Sequence, residues 1–86
     1  MEQATIGRIV HYVLPEGTRS PGEHRPAIVV RVWPNEYPGA EDPDGVNLQV
    51  FTDDSNDALR PTEWKTSIKH DEETQAVNTW HWPERA

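Results

Sequence analysis

The sequence contains no cysteine, a single methionine and a single phenylalanine. Without thiols it can build neither a disulfide framework nor a thiolate metal site, so apolar packing or self-association must hold it together. Positive charge is also scarce: eight lysines and arginines face fifteen acids, for a net charge of −7. That balance argues against the broad basic surface that duplex DNA or an anionic bilayer requires. No apolar run approaches the roughly 20 residues that cross a bilayer as a helix. The opening MEQATIGRIVHYVLPEG lacks the basic start, long apolar stretch and small-residue cleavage site of a secretory signal. The expectation is a soluble, cytoplasmic protein without a membrane partner.

What is present is one small domain, spanning residues 1–86 of the 86-residue chain. A domain of this size buries a limited share of its surface, so its core must be compact or be completed by a second copy, and a homo-oligomer that buries spare tryptophans is expected. The charge is uneven along the chain. Between Val32 and Leu59 stand Glu36, Glu41, Asp42, Asp44, Asp53, Asp54 and Asp57, with no lysine or arginine. Before them, Arg8, Arg19, Arg25 and Arg31 outnumber Glu2, Glu16 and Glu23. A single basic pocket for a small anion is compatible with that layout.

Eight prolines and five glycines divide the chain into five strand-like runs. They are Ile6 to Leu14, Pro26 to Trp33, Val46 to Asp53, Glu63 to His70, and Val77 to Trp82. In the third run Val46, Leu48 and Val50 alternate with Asn47 and Gln49, the period of a half-buried strand. The fourth sets Trp64, Thr66 and Ile68 against Lys65, Ser67 and Lys69, which assigns Trp64 to the core. Only Asp54 to Leu59 could form a helical turn, and Asp-Pro-Asp-Gly at 42–45 reads as a tight turn. Five short strands joined by turns predict an all-β, five-stranded antiparallel SH3-like barrel, with an OB-like barrel as the alternative.

The four tryptophans are the densest unusual feature. Trp80 and Trp82 share a face of the last run, and His81 points to the other. Trp33 shares a face with Arg31 and Val29; a core built on Ile28, Val30 and Val32 would leave it outside. Outward aromatics on a small domain serve as partner or ligand surfaces, and inward ones fill the core. His11, His24, His70 and His81 contain no short-spaced pair of the zinc-site kind; a cluster across strands is open to them, but four ordinary histidines are the expectation, with no metal and no cofactor. No phosphate loop, nucleophile elbow or triad order is present, so no catalytic residue is assigned. Arg25 ends a loop just before Pro26, which holds the chain extended. From there its guanidinium could meet a phosphate, or simply offset Glu23.

IGRIVHYVLPEGTRSPGEHRPAIVV, with its G-x-I-V strand, glycine-containing loop and R-P-A-apolar strand, resembles the opening of MazF-type toxin endoribonucleases. That resemblance covers about the first 30 residues and implies an RNA-backbone contact for Arg25 on an SH3-like barrel. RPAIVVRVW, VNLQVFTD, WKTSIKHDE and TWHWPE are similar to a group of small phage- and prophage-encoded proteins across most of the chain. This second resemblance implies an accessory role such as countering host defence.

Together these readings lead to a non-enzymatic phage accessory protein that sequesters a small ligand, such as a nucleotide signal of host defence, as a homo-oligomer. Arg8, Tyr12, Arg25, Trp33, Trp80 and Trp82 are the candidate ligand residues, the rings for stacking and the arginines for phosphate. An RNA-cleaving protein of the MazF type and an SH3-like protein-interaction or virion module are the alternatives.

Overall fold

The computed structural model describes residues 4–33 and 45–83. Its elements are β1 (Ile9–Val13), β2 (His24–Val32), β3 (Val46–Phe51), a 3-10 turn at Asp54–Asn56, β4 (Thr62–His70) and β5 (Thr79–His81). The turn expected at Asp42 to Asp44 lies outside the described residues. The strands close in sequence order into one all-β barrel. Among the described residues, no helix is long and apolar enough to cross a membrane.

Each strand pairs antiparallel with the next from β1 to β4, and β5 returns antiparallel to β1. The last seam, Lys69 with Thr79 and His70 with Trp80, is parallel. An odd number of strands imposes this. Alternating directions around five positions leaves two neighbours pointing the same way. The antiparallel expectation therefore fails at one ladder, where closure requires it.

Alternation decides the core. Val10 and Tyr12 of β1, Ala27 and Val29 of β2, Val46, Leu48 and Val50 of β3, Ile68 of β4 and Trp80 of β5 face inward. Burying a large apolar side chain of this kind contributes roughly 1.5–3 kcal/mol. The inward face of β2 is thus Ala27 and Val29, with Ile28 and Val30 outside. Of the Ile28-Val30-Val32 face considered from the sequence only Val32 packs against the core, because the register shift between Val29 and Arg31 reverses the parity of the strand there.

Trp64 also differs from its sequence assignment. It is 57% exposed, while Ile68 on the same run is buried. A bulge reverses the parity between them. The β3–β4 register shifts between Val46 and Leu48, so Thr66 and Ser67 together oppose Asn47.

Candidate functional site

The six residues expected to hold a ligand separate into four environments. Tyr12 and Trp80 are fully buried, and each packs within the core cluster. The Tyr12 hydroxyl donates to Asn78 Oδ1, and burial pushes its pKa up to about 12. Neither ring presents a face to a ligand. Both lie on the inward-facing positions of their strands, among the core residues.

Arg25 is held by its own chain. Its Nε donates to Asp57 Oδ2 at 2.8 Å and its Nη2 to Asp57 Oδ1 at 2.6 Å. Nη1 donates to the His24 carbonyl at 2.8 Å, and Nη2 reaches Glu23 Oε1 at 3.1 Å. The Asp53 N–H donates to the same Asp57 carboxylate at 2.7 Å. The Arg25 fork, followed by that N–H, holds the Asp57 carboxyl at about 2, below its ordinary 3.8, against the opposing effect of burial. The arrangement clamps the turn after β3 to the start of β2. Every guanidinium nitrogen is engaged within the chain, Glu23 among its partners as the second reading of Arg25 has it.

Arg8 and Trp82 do come together. The Arg8 guanidinium lies 4.7 Å from the centre of the Trp82 ring. Trp82 also meets Trp80 edge-to-face at 5.2 Å, and its backbone N–H donates to Glu72 Oε1. This pair caps the core beyond the end of β5.

Trp33 stands just past the end of β2, and its ring is oriented by a hydrogen bond at its nitrogen. The cause is Asn47, which sits between two bulges: the β2–β3 register shifts between Val29 and Arg31, and the β3–β4 register shifts across Asn47 itself. The side chain of Asn47 is therefore nearly buried, at 7% exposure. Its Oδ1 accepts hydrogen bonds from Trp33 Nε1, Thr66 Oγ1 and the Ser67 N–H, each at 2.9 Å. Ser67 adopts φ 57, a left-handed conformation that serine rarely takes. Strain of this kind costs about 1–3 kcal/mol and persists where the surroundings impose it. Over the fixed indole lies the Arg31 guanidinium, 3.9 Å from the ring centre. The result is a half-buried aromatic plate, fixed at its nitrogen, with an exposed cation on its face.

A second constellation lies on the outer face of β5, β1 and β2. His11 and His81 are directly opposed in the β1–β5 ladder. His24 opposes Val13, two places along from the His11–Pro26 pair. The three rings approach to 6.1 Å for His11–His24, 5.6 Å for His11–His81 and 4.5 Å for His24–His81. One ring nitrogen from each lies within 4.8 Å of the other two. His81 is fully buried, and the other two are half-buried. Three separate strands deliver these histidines to one spot, the cross-strand grouping that the sequence left open beside four ordinary histidines. His70 stays outside the group, stacked on Trp80 at 4.2 Å and bonded to Glu72 at 2.9 Å.

Sequence reasoning misses Arg31 as a site residue, although its shared parity with Trp33 is an available signal. It also misses Asn47 and Asp57, and it does not say which histidines group, because their partners are distant in the chain. No family model, curated protein or solved structure matches this chain.

Proposed function

We propose that the protein is a non-enzymatic binding protein whose ligand is a planar anion of the nucleotide class, held at Trp33 and Arg31. The observation that carries this reading is the indole fixed by Asn47 beneath the Arg31 guanidinium. A guanidinium already layered over a fixed ring lowers the ordering cost of stacking a base on its outer plane. An arginine lying over a ring keeps its N–H edge for phosphate oxygens. Such a site needs no catalytic group. In the phage setting that the whole-chain resemblance implies, holding a defence nucleotide away from its receptor is a sufficient activity.

The alternative of RNA cleavage depends on Arg25, whose donors face Asp57, Glu23 and the His24 carbonyl. This favours binding over cleavage.

Calorimetric titration with linear and cyclic mono- and dinucleotides tests the proposal, at protein concentrations of about tens of micromolar. The expected result is a saturable heat with at least one member, lost in Trp33→Ala and Arg31→Ala. Silence across the panel, or equal binding by both variants, overturns it.

The proposed homo-oligomer uses the outer face. Ile9, Ile28, Gln49 and Trp64 form one row across four strands, beside Phe51. Ile9, Ile28, Phe51 and Trp64 are all exposed. This row carries no charge, so two copies meeting there place no like-charged side chains of the row against each other. Light scattering of the wild type and Trp64→Glu checks it: a dimer reduced to a monomer is expected, and a wild-type monomer at every concentration overturns it.

A further inference from the structure

We propose that His11, His24 and His81 form a binding site for a late first-row divalent cation, zinc above all, on the outer face of β1, β2 and β5. The site is separate from the Trp33 plate: His24 opens β2 and Trp33 lies just past its other end, about 30 Å away along an extended strand.

Three features support the assignment. The first is donor chemistry. Imidazole is the ligand that zinc, copper and nickel share, and a chain without cysteine has no thiolate with which to compete. The second is convergence. The ring nitrogens lie within 4.8 Å of one another, and tetrahedral zinc at Zn–N of about 2.0–2.1 Å sets its ligand nitrogens roughly 3.4 Å apart. The remaining closure is a matter of side-chain torsion, because the strands that carry the rings are already in register. The third is the scaffold. All three residues lie within barrel strands, and His11 and His81 face each other across a ladder. Sites on paired strands are held more rigidly than sites on loops.

The burial gradient indicates the kind of site. His81 is enclosed at the base, while His11 and His24 are half-buried and border solvent. A cation entering from that side takes three protein ligands and a fourth from solvent, the pattern of an open rather than a closed structural site.

The test uses the full chain without a histidine tag. Cobalt(II), as a spectroscopic substitute for zinc, is titrated while visible absorption is followed, and zinc is titrated separately against a chromogenic chelator. The expected result is one equivalent of metal per chain with a ligand-field band of low-symmetry cobalt. His24→Gln and His11→Gln should each weaken binding by about 100-fold or more, the upper end of the loss seen even for ligand-supporting residues. His70→Gln should leave binding at one equivalent. Both ligand variants replace half-buried side chains, and near-ultraviolet circular dichroism confirms their folding. Absence of binding by the folded wild type overturns the proposal. So does undiminished binding by a folded His24→Gln or His11→Gln.

Discussion

Two arginines of β2 show how differently one strand can use the same side chain. Arg25, near its start, forks onto Asp57 and donates further bonds to the His24 carbonyl and Glu23. Arg31, near its end, lies exposed over Trp33. The first is a structural clamp, because a buried carboxylate must be neutralised where it sits. The second is spare charge, because an exposed guanidinium over a ring keeps most of its hydration. A residue type therefore says little about availability until its surroundings are known.

Breaking the clamp should have the largest effect. Arg25→Ala leaves the Asp57 carboxylate buried without its partner and should cost about 3–5 kcal/mol, read from urea unfolding. Arg25→Lys should recover only part of this, since an ammonium cannot form the bidentate fork.

Acid should reach the same clamp. Asp57 binds its proton less readily folded, at about 2, than at its ordinary 3.8. The unfolded chain takes up that proton first, so the contribution is present above pH 3.8 and is lost as pH falls toward 2. Chemical denaturation across this window should show a steeper loss in the wild type than in Asp57→Asn. Parallel curves would show that the clamp does not couple folding to this proton.

On the other side of the comparison, Asn47→Ala should cost about 1–3 kcal/mol by orphaning donors from Trp33, Thr66 and Ser67. It should also free the indole, seen as lower Trp33 fluorescence anisotropy in a background where the other tryptophans are accounted for by Trp33→Phe. Arg31→Ala should have the smallest effect on stability, about 0.5–1 kcal/mol for an exposed cation–π contact. A loss as large as that of Arg25→Ala would erase the distinction between the two arginines.

Several features are legible in the sequence alone. The alternation of Val46, Leu48 and Val50 places β3 correctly, and the turn near Asp54 appears at Asp54–Asn56. Trp80 and Trp82 do share a face, with His81 opposite. Local pattern suffices for these because each depends only on neighbours within one strand. The same locality misleads at Trp64: alternation assumes an unbroken strand, and the bulge opposite Asn47 breaks it.

By itself the sequence determined the all-β class, the number of strands and the reliance on apolar packing, through proline and glycine spacing, period-two runs and the lack of cysteine. The tertiary structure alone decided what the polar and aromatic side chains do. Closure of the barrel enclosed Tyr12 and Trp80, set Asp57 against Arg25, fixed Trp33 on Asn47, and gathered His11, His24 and His81. These pairings join residues far apart in the chain, and their distances are set by strand register, which no single run of residues encodes.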